Sequence, residues 1–204
     1  MPSTIGILIF DGAEELDFVG PWEVFTMSNE VRNQLKDSTP KDRVLTVSQH
    51  GGMITCAKGM RVSADHSFAD CPPLDVLLIP GGQGTRREVD NPVLLEWIAR
   101  TASGCKWVTS VCTGSLLLTE AGPAAGKRVT THWAFVDQLA GRGKSTVLKN
   151  VRYVRDGNVV TSAGVSAGID MALWLAGQMH GVNHARAIQK GMEYDPAPPY
   201  TADV

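Results

Sequence analysis

Short apolar runs separated by longer amphipathic segments restrict the fold of this chain more than any other feature of its sequence. The runs, rich in aliphatic and β-branched residues, cover residues 5–10, 44–48, 76–79, 107–111 and 159–162. Runs of this length without polar alternation are typical of strands that are buried on both faces of a sheet. The sequence therefore predicts a parallel sheet that is covered on both sides.

Amphipathic segments between these runs predict the covering helices. They span residues 18–27, where Pro21 stands near the start, 91–102, and 167–179, which is apolar nearly all round. Strands that alternate with helices in this way predict an α/β fold with a mainly parallel sheet flanked by helices on both faces.

Two antiparallel excursions from this pattern are expected. Residues 151–155 and 159–162 flank Asp156-Gly157-Asn158, which is a strong hairpin signal because glycine adopts a positive φ without steric cost. A second hairpin is expected within residues 53–62.

The chain of 204 residues is expected to form one domain, 1–204, because no internal repeat and no Ser/Gly-rich linker divides it. Residues 195–204 are expected to be a Pro-rich C-terminal tail, because proline cannot continue a helix. The charges nearly balance, with 19 Lys and Arg against 21 Asp and Glu, and no run of like charges is longer than two residues. We therefore expect no binding to nucleic acid.

The apolar runs are also far shorter than the ~20 residues of a membrane-spanning helix, so we expect no membrane association. The start of the chain has no basic segment followed by an apolar one, as a secretory signal would have. We therefore expect a cytoplasmic protein.

Cys112 is the most informative candidate for chemistry. It directly follows the run 107–111 and precedes Gly114-Ser115 and an apolar helical segment, which predicts a cysteine at a sharp strand-to-helix turn. The amide groups at a helix N-terminus favour a thiolate, the nucleophilic form of cysteine. The alternative interpretation is that Cys112 is a small buried hydrophobic residue.

Other candidates carry weaker signals. Cys56, Cys71 and Cys105 have no helix N-terminus behind them and form no Cys-x-x-Cys pair, so neither catalysis nor zinc binding is expected. His180 and His184 have the i, i+4 spacing of metal ligands, but no carboxylate completes a ligand set, and we predict no metal site.

Polar or flexible residues also follow two other predicted strands. Asp17 comes after the run 5–10, where it is either a helix cap or a site residue. Gly81-Gly82 follows the run 76–79, where a backbone N–H is able to approach a reacting atom closely. His132, in Thr131-His132-Trp133, is more typical of a helix start or a packing residue than of a catalytic base.

Three motifs in the same order resemble the ThiJ/PfpI superfamily, which has the class I glutamine amidotransferase-like fold, a flavodoxin-like three-layer sandwich. They are Gly12-Ala13-Glu14-Glu15-Leu16-Asp17, Asp75-Val76-Leu77-Leu78-Ile79-Pro80-Gly81-Gly82 and Ser110-Val111-Cys112-Thr113-Gly114-Ser115. Segments 67–75, 127–133 and 193–199 further resemble the isonitrile hydratase branch of that superfamily, so that the resemblance runs over nearly the whole chain.

The resemblance implies a role for each motif residue. Cys112 matches the nucleophile, Asp17 the acidic residue that hydrogen-bonds to it, and Gly82, with Gly81 beside it, the backbone donor near the thiol. Thr113 takes the place of the histidine found in protease-like members, which argues against peptidase activity. Asp17 and Cys112 are expected to follow strands that lie side by side.

The implied activity is the hydration of an isonitrile by water to an N-substituted formamide through a covalent thioimidate, with no cofactor and no metal. Like-charge repulsion predicts that Asp17 and Cys112 share one proton. A homodimer is expected.

The alternatives to this activity are a redox or stress sensor with an oxidisable Cys112, a glyoxalase- or deglycase-like enzyme, and the ligand-binding domain of a transcription regulator. The last of these is the less expected one, since we expect no DNA-binding module beside this domain.

Overall fold

The predicted strand runs form the centre of one large sheet in the computed structural model, which describes residues 2–196. The strands are β1 Thr4–Leu8, β2 Arg43–Ser48, β3 Gly52–Thr55, β4 Arg61–Ala64, β5 His66–Ser67, β6 Val76–Ile79, β7 Trp107–Val111, β8 Arg128–Val129, β9 Thr146–Val147, β10 Tyr153–Asp156 and β11 Val159–Ser162. The bounds predicted for β6, β7 and β11 are confirmed, whereas β1 ends two residues before the predicted Phe10.

The main sheet has seven strands in the order β10-β11-β7-β6-β1-β2-β5. Every neighbouring pair is parallel except β10 and β11, which form the predicted hairpin around Gly157 at a φ of +65°. The second predicted hairpin is the antiparallel pair β3 and β4. The fold is therefore the mainly parallel α/β sheet that the sequence predicts, with the expected antiparallel excursions.

Helices flank this sheet. They are α1 Glu15–Gln34, α2 Thr85–Glu88, α3 Pro92–Ala102, α4 Gly114–Glu120, α5 Val136–Gly141, α6 Ala167–His180 and α7 Val182–Gly191, with a 3₁₀ helix at Trp133–Phe135. One group consists of α1, α6 and α7, which pack against one another, and α4 packs against α2 and α3. None of the helices within residues 2–196 has both the length and the apolar character that crossing a membrane would require.

Helix α1 is longer than predicted and changes the interpretation of Asp17. It begins at Glu15 and is preceded by Glu14 as its N-cap residue, so Asp17 lies in the first turn and is not the cap. Pro21 consequently lies inside the helix and not near its start. Because proline has no backbone N–H, it leaves the carbonyl of Asp17, four residues earlier, without its helical hydrogen bond. The tail predicted at 195–204 lies outside the described residues from residue 197 onward.

The order of the central strands decides which loops meet. β6 lies between β1 and β7, so the expectation that Asp17 and Cys112 follow adjacent strands is wrong. Carboxyl ends of parallel strands share one edge of a sheet, and the loops after all three strands converge there. The intervening strand supplies Gly81 and Gly82 between the acid and the thiol.

Candidate active site

Cys112 occupies a strained backbone position at the predicted turn between β7 and α4. Its φ is +55°, in the left-handed region that residues other than glycine seldom adopt. Its N–H donates to the carbonyls of Ser162 and Ala163 at 3.2 and 3.1 Å. Its carbonyl accepts hydrogen bonds from the hydroxyls of Ser115 at 3.0 Å and Thr131 at 2.9 Å. Bonds on both sides of the residue hold the conformation that its φ makes unfavourable.

Asp17 is a fully buried acid on the first turn of α1. The N–H of Gly81 donates to its Oδ2 at 2.8 Å, while its Oδ1 has no hydrogen-bond partner among the described residues that meets normal geometry. Burial is the main cause that raises the Asp17 pKa from 3.8 to about 7, and the nearby Glu14 carboxylate adds to it. The Gly81 N–H acts in the opposite direction.

The thiol of Cys112 lies close enough to this carboxyl for each group to affect the other's pKa, and the Cys112 pKa is also raised. Burial is the largest cause, the charge of Asp17 is the second, and together they raise the Cys112 pKa to about 12. The amide and hydroxyl of Thr113 lower it, but by less. Removal from water and the adjacent acid therefore outweigh the amide groups at the helix N-terminus, and the Cys112 pKa shifts in the direction that like-charge repulsion predicts.

Thr113 and the two glycines fix the relative positions of the acid and the thiol. The N–H of Gly82 donates to Thr113 Oγ1 at 3.0 Å, and the Thr85 hydroxyl donates to the same atom at 3.1 Å. The N–H of Gly81 is already bound to Asp17, and that of Gly82 to Thr113. Neither amide is therefore free to donate to an oxyanion. Both glycines are better described as positioning residues than as the substrate donors expected from the sequence.

Close packing explains why these two positions are glycine. A Cβ at residue 81 would stand 2.5 Å from the amide nitrogen of Thr113. At residue 82 a Cβ would stand 2.3 Å from the amide nitrogen of Glu14, and the backbone has a φ of +116°. The loop after β6 is thereby able to lie directly against the loops after β1 and β7.

A cleft of about 280 Å³ opens onto Cys112, whose residue surface is 7% exposed. Besides the residues already described, it is lined by Gln83, Arg86, His132, Ala134, Phe135 and Val165. His132 is the N-cap of the 3₁₀ helix, as its predicted helix-start role implies, and it also faces the cleft. A pocket of this size lies just below the usual range for small-molecule sites, which points to a small ligand.

Sequence reasoning missed Arg86, Phe135 and Val165. They come from α2, from the 3₁₀ helix and from the loop before α6, and no shared spacing connects them. Their only signal in the sequence is proximity to a strand end, since Arg86 follows β6 and Val165 follows β11.

A larger cavity of about 500 Å³ lies at the opposite edge of the sheet, near the amino ends of β6 and β7. Its charged groups already have partners: Lys106 pairs with Asp75 at 2.9 Å, and the Nε2 of His180 lies 2.6 Å from Asp42. Among the described residues that line this cavity there is no cysteine and no carboxyl with a raised pKa like that of Asp17, so the Cys112 cleft is the stronger candidate site.

His180 and His184 each have protein partners instead of a metal. Arg32 donates to the Nδ1 of His180 at 2.8 Å, and Ser28 lies 2.8 Å from the Nε2 of His184. Within residues 2–196, no group of three or more His, Cys, Asp or Glu side chains is arranged to hold a metal ion. The other three cysteines are free thiols that do not line the Cys112 cleft.

The fold and the site together define a class of α/β protein in which a cysteine sits at a strand-to-helix turn beside a buried carboxyl. The DJ-1/PfpI family model matches residues 3–178, and the chain belongs to that family. The chain is 40% identical over 202 residues to isonitrile hydratase of Pseudomonas putida. The aligned region covers 98% of this chain and 82% of the relative.

Solved structures agree with this assignment. A ThiJ/PfpI family protein from Pseudomonas syringae superposes with a TM-score of 0.88 at 32% identity, covering all of this chain and 80% of the other. DJ-1beta of Drosophila melanogaster superposes with a TM-score of 0.81 over 96% of this chain and 100% of its own. Its identity of 22% makes that likeness one of fold alone.

Proposed function

We propose that this chain is an isonitrile hydratase that converts an isonitrile and water into an N-substituted formamide, with Cys112 as nucleophile. The observation that carries the proposal is the pairing of Cys112 with a buried carboxyl of near-neutral pKa in a small cleft. Similarity to the Pseudomonas putida isonitrile hydratase along nearly the whole chain supports the choice of substrate.

The first step is addition of the thiol to the terminal carbon of R–N≡C. As the Cys112 sulfur forms its bond to that carbon, the S–H proton passes to Asp17, which delivers it to the same carbon. The carbon–nitrogen triple bond becomes a double bond, and the product is the thioimidate Cys–S–CH=N–R. Asp17 is suited to this transfer because its pKa of about 7 lets it accept and release a proton near neutral pH.

The second step is hydrolysis of the thioimidate. Water adds across the C=N bond, with its oxygen on carbon and a proton on nitrogen. The hydroxyl proton then moves through Asp17 to sulfur as the C–S bond breaks, which releases R–NH–CHO and restores the thiol. The Thr113 amide and hydroxyl, which lower the Cys112 pKa, stabilise the negative charge that develops on the departing sulfur.

The raised pKa values of both groups define the active protonation state. Between about pH 7 and about pH 12 the pair holds one proton, with the thiol protonated and Asp17 ionised. We therefore expect kcat/KM to rise with pH through about 7 as Asp17 loses its proton. A profile that stays flat from pH 5 to pH 9 would argue against a proton-accepting role for Asp17.

The test is formamide formation from an aryl isonitrile by wild type, Cys112→Ala and Asp17→Asn, followed by absorbance. Cys112→Ala is expected to have no turnover, and Asp17→Asn to lose about 10²-fold or more of kcat, the range for general acid–base catalysis. Cys71→Ala, which removes a thiol outside the cleft, is the matched control and should retain wild-type activity. Retained activity in Cys112→Ala would refute the proposal.

A redox sensor is the alternative from a different class. Oxidation to the sulfenic and sulfinic states begins from a thiolate, and a Cys112 pKa raised to about 12 disfavours that state. Intact mass after mild peroxide separates the two functions, because a sensor would be oxidised stoichiometrically and fail to turn over isonitriles. Consumption of methylglyoxal tests the glyoxalase-like alternative in the same way.

A further inference from the structure

Arg86 is the cationic side chain of the Cys112 cleft whose charge is not matched by an acid. It forms no ion pair within residues 2–196, whereas the other charged side chain lining the cleft, Glu14, is paired with Lys58. Asp17 lies deeper and is fully buried. A substrate entering the cleft therefore meets one uncompensated positive charge near its mouth.

The guanidinium of Arg86 is held in a fixed orientation. Its Nη1 donates to the carbonyl of Gly82 at 2.9 Å and to the hydroxyl of Thr85 at 3.3 Å. Its central carbon lies 5.0 Å from the centre of the Phe135 ring, within the range of a cation–π contact. These contacts reduce the rotamer freedom that a long exposed side chain would otherwise lose on binding a ligand.

The remaining donors of this guanidinium are free. Among the described residues, no protein acceptor bonds to the Nε or Nη2 of Arg86. Two N–H groups on one edge of a planar guanidinium match the two oxygens of a carboxylate, in a geometry that lysine lacks. Since Phe135 lines the same cleft beside this guanidinium, the cleft combines an apolar wall with a carboxylate-binding group.

We infer that Arg86 selects isonitriles that carry a carboxylate, with the isonitrile carbon at Cys112 and the carboxylate on the free edge of the guanidinium. This inference rests on the proposed function for the reacting group but assigns a substrate class that the reaction itself does not require. Arg86 acts in it as a specificity-determining residue, which changes the preference between charged and neutral isonitriles.

The experiment compares 4-isocyanobenzoate with its methyl ester, which has the same ring and reacting group but no charge. Wild type should prefer the carboxylate by about tenfold in kcat/KM, which is the effect of a charge-assisted hydrogen bond. Arg86→Gln should abolish that preference by raising KM for the carboxylate much more than KM for the ester, so the readout is the ratio of the two kcat/KM values within each protein. Arg86→Lys should restore part of the preference, since it keeps the charge but not the planar geometry.

Arg87→Gln is the matched control, because it removes the same charge from the adjacent residue. Arg87 is exposed and bonded to Glu88 and to the carbonyl of Asp11, and it does not line the cleft. The preference should survive in this variant. Equal rates on the two substrates in wild type, or a preference that survives Arg86→Gln, would overturn the inference while leaving the proposed function intact.

If neither isonitrile is turned over, the proposed function has failed, and calorimetry with benzoate decides the inference separately. Benzoate that binds wild type and Arg87→Gln but binds Arg86→Gln at least about tenfold more weakly supports a carboxylate site at Arg86. Equal benzoate affinity in all three proteins, or no binding to wild type, overturns it.

Discussion

Asp17→Asn should increase the free energy of unfolding relative to wild type, by an amount that depends on pH. The Asp17 pKa lies at about 7 in the folded protein against an ordinary value of 3.8, chiefly because the carboxyl is buried. Each tenfold change in an equilibrium constant corresponds to about 1.4 kcal/mol, so keeping this side chain ionised opposes folding by about 4 kcal/mol. Asparagine has nearly the same shape, retains an oxygen that accepts from Gly81 and carries no charge.

The sign follows from proton binding. The folded state binds the Asp17 proton more tightly than the unfolded state does, so wild type loses stability as the pH rises from about 4 to about 7. Asp17→Asn lacks this proton equilibrium. The stability difference between the two proteins should therefore be small near pH 4, widen through pH 6 and level off near 4 kcal/mol above pH 7.

The assay is urea unfolding of both proteins at several pH values between 4 and 8, with each free energy extrapolated to water. Asp90→Asn is the control, because it makes the same substitution at an exposed carboxyl outside the site. A difference between wild type and Asp17→Asn that is constant over this range would show that Asp17 does not titrate near pH 7. The proton-transfer role proposed for it would then lose its basis.

Three further predictions concern the site and the assembly. Gly82→Ala should lower the free energy of unfolding by about 1–3 kcal/mol and reduce turnover, because its φ of +116° is strained for alanine and its Cβ would meet the Glu14 amide; unchanged urea unfolding would contradict the close approach. Alkylation of Cys112 by iodoacetamide, followed by peptide mass mapping, should accelerate about tenfold per pH unit between pH 8 and pH 10, because its pKa of about 12 lies above this range; a plateau near pH 8 would mean a more acidic thiol. Light scattering should give twice the mass of one chain for the expected homodimer, and a monomer would show that expectation to be wrong.

The strands were accessible to sequence reasoning because their signal is local. A strand buried on both faces must be apolar along its length, so the runs at 76–79, 107–111 and 159–162 coincide with β6, β7 and β11. The start of α1 was less accessible. Glu14 makes no side-chain cap bond, so the sequence carries no capping signal there, and the helix begins three residues before the predicted start.

The roles of the glycine amides and the state of the thiol depended on tertiary contacts. Nothing in the sequence around Gly81 indicates that its N–H is bound to Asp17, 64 positions away. A helix N-terminus read from the sequence favours a thiolate, but it carries no information on how much water the fold removes from the sulfur. Burial is the largest cause that raises the Cys112 pKa, and it adds to the repulsion by Asp17 that the sequence already predicts.

The amino-acid sequence by itself determined the alternation of strands and helices, the turn that places Cys112 at the end of β7, and the motifs that align the chain with its family. These properties are set by neighbours a few residues apart, through side-chain polarity and backbone freedom. Only the tertiary structure decided that β6 lies between β1 and β7 and that the Asp17 carboxyl is fully buried. It also decided that Arg86 and Phe135 line the same cleft. Desolvation and charge interactions depend on distances between groups that the chain brings together from distant positions, and those distances exist only after folding.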